Sequence, residues 1–100
     1  MKSQHAIETE EEKARQYGRE LGVFLRARRE ELGLSQEEIA LRAGMDRRHY
    51  QELEYGFSNS RTRTPANPGL LRLIKLADAL DMDVEEFLAC LGSALTSHRR

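Results

Sequence analysis

An all-α domain of five helices, preceded by an N-terminal helical arm, is the fold class this sequence predicts. Apolar residues recur at helical spacing along most of the 100 residues. Residues that start and stop helices punctuate those stretches. Strand signals are nearly absent, and no repeat or low-complexity segment breaks the pattern. A hydrophobic content of 39% with 33% charged residues fits one surface-rich domain with a modest core, not two.

The first helix is signalled by Thr9 and Glu12 at capping-box spacing, followed by residues 10–31 without proline. Tyr17, Leu21, Phe24, Leu25 and Leu32 recur on one face. Gly18 and Gly22 each weaken a helix interior by roughly 1 kcal/mol relative to alanine. A break near Gly18 is therefore expected, dividing an arm (1–18) from the domain proper (19–91). Gly33 ends the helix. Ser35 with Glu38 forms a second capping box, and Ile39, Ala40 and Ala43 make the buried side of a short second helix. Gly44 is the expected left-handed stop, where a Cβ would cost energy. Asp46 then caps a third helix, 47–55. Tyr50 and Leu53 fall on its apolar side, while Arg47, Arg48, Gln51, Glu52 and Tyr55 fill the opposite, polar arc.

Residues 56–67 are a loop by composition. Asn67 is expected to cap the fourth helix, with Pro68 in its first turn. Leu70, Leu73, Ile74, Ala77 and Leu80 supply its buried stripe, leaving Leu71 and Leu76 off it. Asp83 with Glu86 opens a fifth helix whose Val84, Phe87, Leu88 and Leu91 face inward. Residues 92–100 read as a frayed tail.

Several function classes are disfavoured. No apolar run approaches the ~20 residues that span a bilayer, and the N-terminus turns acidic too soon for a signal peptide. The single Cys90 permits no internal disulfide and no clustered-cysteine metal site, so a reducing cytoplasm is the natural setting. His5, His49 and His98 lack metal-ligand spacing, and no glycine-rich phosphate loop or catalytic motif is present. Neither an enzyme nor a resident cofactor is expected.

Charge distribution says more than the net −1. Residues 45–69 hold Arg47, Arg48, Arg61 and Arg63 against Asp46, Glu52 and Glu54, a balance of +1. Residues 70–91 hold Arg72 and Lys75 against Asp78, Asp81, Asp83, Glu85 and Glu86, a balance of −3. A basic face opposed by an acidic one is hidden in the total, and the local face governs docking. Residues 35–56 form two short helices about a tight turn. Such a unit pushes one helix into a groove wider than itself while the other braces it, and the major groove of B-DNA is such a groove.

The stretches Leu25-Arg-Ala-Arg-Arg-Glu-Glu-Leu-Gly-Leu-Ser-Gln-Glu-Glu-Ile-Ala, Ala43-Gly, Leu53-Glu-Tyr-Gly and Asn67-Pro-Gly-Leu-Leu-Arg-Leu-Ile-Lys-Leu-Ala-Asp-Ala-Leu carry a resemblance. Together they resemble the Cro/phage-repressor (XRE) type of helix-turn-helix domain, within the lambda-repressor-like fold. The resemblance implies a structural ion pair between Arg29, late in the first helix, and Glu54, at the end of the third. It implies that Gln36 holds phosphate and often buttresses a recognition residue. It places Arg47 and Arg48 at base edges, where an arginine can bind guanine O6 and N7, with Gln51 and Glu52 one turn further on. Glutamine can pair with adenine, and glutamate can accept from cytosine N4. Glu52 could equally repel wrong sequences or pair with Arg48. His49 is expected to pack at the core edge, with a phosphate contact as the alternative.

The loop departs from the family. Ten residues lie between Gly56 and Asn67 where many members have two or three. Arg61, Arg63 and Thr64, with Ser58, Ser60 and Thr62 and no acid, suit phosphate contacts or minor-groove entry. A flexible spacer is the competing reading; Asn67 joins the candidate contacts, and Phe57 anchors the loop base.

The implied function is a sequence-specific double-stranded DNA-binding regulator, most simply a repressor on a palindromic operator, acting as a homodimer. The other class is an antitoxin whose main partner is a small toxin protein, bound through 1–18 or 89–100. A restriction–modification controller is a third version.

Overall fold

The computed structural model describes residues 9–59, 61, 62 and 64–96. Helix α1 spans Glu10–Glu31 and opens on a reciprocal capping box. The Glu12 amide donates to Thr9 Oγ1 at 3.0 Å, and the Thr9 amide to Glu12 Oε1 at 3.1 Å. Glu10, Glu11 and Glu12 in the first turn and Arg28 and Arg29 in the last complement the helix dipole. The break expected at Gly18 does not occur; α1 runs straight through both glycines.

Close packing explains those glycines. A Cβ on Gly22 would overlap the carbonyl of Glu54, and one on Gly18 would sit 2.7 Å from the carbonyl oxygen of Gly56. The cost in helix propensity is accepted because the backbone after Leu53 lies directly against α1. That approach brings the third helix to its seat.

Helix α2, Gln36–Arg42, begins with the second capping box, Ser35 Oγ accepting from the Glu38 amide at 3.0 Å. A turn through Gly44 at φ 69° leads to α3, Arg47–Tyr55, whose cap Asp46 accepts from the His49 amide at 2.9 Å. Gly56 closes α3 at φ 92°, a conformation that costs a non-glycine residue energy.

Residues after Gly56 form an antiparallel hairpin, β1 Phe57–Asn59 and β2 Thr64–Pro65, with Phe57 opposite Pro65 and Asn59 opposite Thr64. This corrects the expectation of an unstructured loop. The amide of Ala66 donates to the Gly56 carbonyl at 2.9 Å, fastening the hairpin base beside α1. Asn59 Oδ1 accepts from the Arg61 and Thr62 amides at 2.9 and 3.2 Å, a side-chain turn at the end of β1.

Helix α4, Leu70–Ala79, starts two residues later than the sequence suggested. Its N-cap is Gly69, with no side-chain cap bond, so Asn67 and Pro68 belong to the approach and not to the helix. The buried stripe also differs from the expected one. Leu76, Ala77 and Leu80 are buried and Leu73 packs against them, whereas Leu70 and Ile74 are exposed. The burial of Leu76 removes it from the surface. In a helix this rich in leucine two stripes of identical spacing exist, and contact with the neighbouring helices selects one.

Helix α5, Val84–Thr96, continues past Gly92, so the tail expected from that residue is helical as far as Thr96. Phe87 and Leu91 are buried, Val84 packs at the edge, and Leu88 faces solvent, against expectation. Phe24 of α1 meets Phe87 edge to face, ring centres 5.3 Å apart. Leu25, Ile39, Tyr50, Leu76, Leu80 and Phe87 are the largest side chains wholly removed from solvent.

The C-terminal end of α4 is held by arginines of two other helices. Arg28 Nε donates to the Leu80 carbonyl at 3.1 Å, and Arg42 Nη1 to the Ala79 carbonyl at 3.3 Å. Cations at the last carbonyls of a helix satisfy acceptors that have no intrahelical partner. Among the described residues no helix is long and apolar enough to cross a membrane.

The seat of α3 on α1 has a testable sign. Propensity alone would make Gly22→Ala stabilising by about 1 kcal/mol. Overlap with the Glu54 carbonyl reverses this, and a net loss of about 1–3 kcal/mol is expected in urea unfolding. A gain in stability would contradict the close approach.

Candidate nucleic-acid interface

Tyr50 and Glu54 are one helical turn apart, so their side chains leave α3 on the same side. That side meets α1 and the start of α2. The Glu54 side chain is 3% exposed and that of Arg29 13%. Arg29 grips the carboxylate through two bonds, Nε to Oε2 at 2.6 Å and Nη2 to Oε1 at 3.2 Å. Its Nη1 donates to the Leu34 carbonyl at 2.8 Å, fixing the turn between α1 and α2. The Tyr50 hydroxyl donates to Glu54 Oε2 at 2.6 Å, and Gln36 Nε2 donates to Oε1 at 2.9 Å.

Burial alone would drive the Glu54 carboxyl up. The bonds from Arg29, Tyr50 and Gln36 outweigh it and hold the group below the ordinary carboxylate range. The same bond to Glu54 raises Arg29. Burial, then the bond to Glu54, pushes the Tyr50 phenol up, so it remains a donor. The role of Tyr50 was not foreseen from the sequence; the signal was its i, i+4 spacing to Glu54.

Outward of this network stands the polar face of α3. Gln51 Nε2 lies 3.4 Å from Gln36 Oε1. Arg47 is exposed and shares with Arg29, Ser35, Gln36 and Glu37 a shallow concavity of about 410 Å³ at the start of α2. Arg48 is exposed beside it. Among the described residues neither arginine has an ion-pair or hydrogen-bond partner, and the pairing of Arg48 with Glu52 weighed from the sequence is not formed. With Glu54 held inside and Asp46 capping the helix, Glu52 is the outward carboxylate left on α3.

His49 is exposed, not packed at the core edge; its Nδ1 lies 3.4 Å from Asp46 Oδ1. It lines an open groove of about 500 Å³ between α3 and α4 with Glu52, Ser58, Asn67, Arg72 and Lys75. Asn67 and Glu52 are thus brought together, apart from the Gln36–Arg47 concavity. Arg72 and Lys75 were not singled out beforehand, although residues 57–77 contain no acid. The hairpin carries Arg61 and Thr64, both exposed, with the Thr64 hydroxyl 2.7 Å from that of Thr62. Arg63 and Ser60 lie outside the described residues, as do residues 1–8 and 97–100. Among the described residues no group of three or more His, Cys, Asp or Glu is placed to hold a metal ion.

A braced α2, a tight turn and an outward polar α3 carrying unpaired arginines are now in view. A family model described as "Helix-turn-helix" matches residues 25–87. The chain belongs to the Cro/phage-repressor (XRE) type of helix-turn-helix family. It is a DNA-binding transcription regulator of that type. Comparison with curated proteins and with solved structures gave no match. The helix-turn-helix match takes in α2, α3 and α4 whole, together with the 57–66 insertion, and ends at Phe87 in α5.

The ion pair yields a pH-dependent prediction. Arg29→Met leaves a buried carboxylate without its cation and should cost about 3–5 kcal/mol near neutral pH. Because the folded Glu54 carboxyl is lowered, its stabilisation is full above the unfolded value near 4.3 and is lost as pH falls through the folded one. In the variant Glu54 takes up its proton at higher pH and has less to lose, so the stability gap should narrow on acidification. Urea unfolding of both proteins across the acid range checks this; a gap independent of pH would contradict it.

Proposed function

We propose that the chain is a repressor that reads a pseudo-palindromic operator as a homodimer, with α3 of each copy in successive major grooves roughly 34 Å apart. One observation carries the reading. Arg47 and Arg48 open α3 exposed and unpaired, while the carboxylate at its other end is engaged inside. Guanidinium groups so disposed suit bidentate bonds to guanine O6 and N7. Gln51 and Glu52 lie one turn on as base contacts, and Gln36 at the head of α2 suits a phosphate. Arg61, Thr64 and Asn67 suit the flanking backbone, and Arg63 is proposed with them on sequence alone.

The dimer is supported by Leu70, Leu71 and Ile74, which leave an apolar patch on the outer side of α4. Sedimentation of the free protein tests it. A stable assembly with a different small protein in place of the dimer would favour the antitoxin reading.

Arg47→Ala or Arg48→Ala should each cost about 1–3 kcal/mol in operator binding and relax preference at one base position. Wild-type affinity should fall steeply with salt. Titration of both variants against the selected duplex and a scrambled one decides the matter. Unchanged affinity and selectivity in both would remove the direct-reading claim.

A further inference from the structure

We infer that the groove between α3 and α4 is a binding site for a small aromatic carboxylic acid, and that an occupant there competes with duplex DNA. The site stands independently of the proposed reading of DNA by α3; only the competition rests on that reading.

The groove encloses about 500 Å³ and shares no residue with the concavity at the head of α2. Its size suits a ligand of one or two rings. The floor is apolar: Leu53 is buried, and Met45, Phe57 and Pro68 are half-buried. A flat hydrocarbon displaces water from such a floor favourably. Above it, the α4 side carries Arg72 and Lys75, one turn apart and both exposed. Against these two cations the lining holds one carboxylate, Glu52, on the α3 side. Among the described residues neither cation has a carboxylate within ion-pair distance. Arg72 Nη1 lies 4.0 Å from Met45 Sδ instead, which sets the guanidinium at the edge of the apolar floor.

The two parts of this lining exclude different ligands. A bare inorganic anion would gain only exposed charge contacts, which are weak in water, and would leave the floor wet. A neutral hydrocarbon would leave the guanidinium without an acceptor. The duplex backbone carries charge but no apolar body to lay on Leu53 and Phe57. An aromatic carboxylate meets both demands: its ring covers the floor, and its oxygens accept a forked pair of bonds from Arg72 with Lys75 beside them. Glu52 and Asn67, offered to DNA in the proposed reading, also line the groove. A ligand carboxylate here adds negative charge to a surface that must approach phosphates. Ligand and operator therefore oppose each other by linkage.

Titration of naphthoate into the nitrogen-15-labelled full chain, followed by amide NMR, tests the site without DNA. Saturable shifts should centre on Met45, His49, Leu53 and Arg72, with half-effect at about 1 mM or below. The neutral alcohol naphthalenemethanol should bind about tenfold more weakly, and inorganic phosphate should leave the Leu53 amide unmoved. The Arg72→Gln, Lys75→Gln double variant, changed at two exposed positions, should bind naphthoate no better than the alcohol. A thermal melt checks its folding, and the comparison of acid with alcohol in wild type decides the point whatever the variant does. No saturable shift in the groove, equal binding of acid and alcohol, or a folded double variant that binds naphthoate like wild type would each overturn the site. Saturating naphthoate should also weaken binding of the selected operator about tenfold. A filled groove with operator affinity unchanged would overturn the competition. Failure of wild type to bind any duplex would instead overturn the reading of DNA, and the competition with it, while the titration still decides the site.

Discussion

Glu54 brings a carboxylate to the place where α1, α2 and α3 meet, and burial without partners would make the ionised form very costly. Its donors decide the outcome, and each comes from a different place in the chain. Arg29 is late in α1, Gln36 is the first residue of α2, and Tyr50 lies one turn back on α3. A charge satisfied in this way adds little net stability over an apolar replacement, yet it tolerates only one arrangement of the three helices. Removing any donor leaves a buried group short of a partner. The orientation of α3 on its scaffold follows from that intolerance.

Backbone packing supplies the other half of the constraint. Gly18 and Gly22 allow the end of α3 to lie against α1 more closely than a methyl group would permit. The Glu54 carbonyl touches α1 at Gly22 while its carboxylate reaches Arg29 two turns further along. One residue is therefore fixed to α1 at both its backbone and its side chain. Helix α3 is held from behind, and its outward face is left for Arg47, Arg48 and Gln51. Rigid support of this kind lets a few side chains discriminate among bases, because a loose helix could re-aim to suit any sequence.

The sequence made the centre of the molecule legible and its margins less so. Capping boxes at Thr9 and Ser35, the cap at Asp46 and the glycines at 44 and 56 are local signals, formed by residues within a turn of each other. These local signals set the bounds of α1, α2 and α3. The Arg29–Glu54 pair is 25 residues apart in sequence, and no spacing rule reaches so far; it came through family resemblance. Tyr50 was placed correctly on the core side, but its hydroxyl was not matched to Glu54 because helical position alone does not say which buried groups need a donor. The α4 stripe was misassigned because Leu70, Leu73, Leu76 and Leu80 offer overlapping periodicities that only tertiary contact separates. The hairpin escaped because its strands are two and three residues long, and Ser, Thr and Asn composition is shared with open loops. The break predicted at Gly18 failed because propensity yielded to the close approach of another backbone.

Direct titration of the Glu54 side-chain carboxyl by carbon-13 NMR tests the central claim, that this group is ionised and fully engaged inside the fold. A midpoint below the ordinary glutamate value of about 4.3 is expected, with the donors on α1 and α2 responding at the same pH. A midpoint at or above that value would mean burial outweighs the bonds, and the carboxylate would not be what fixes α3 in place.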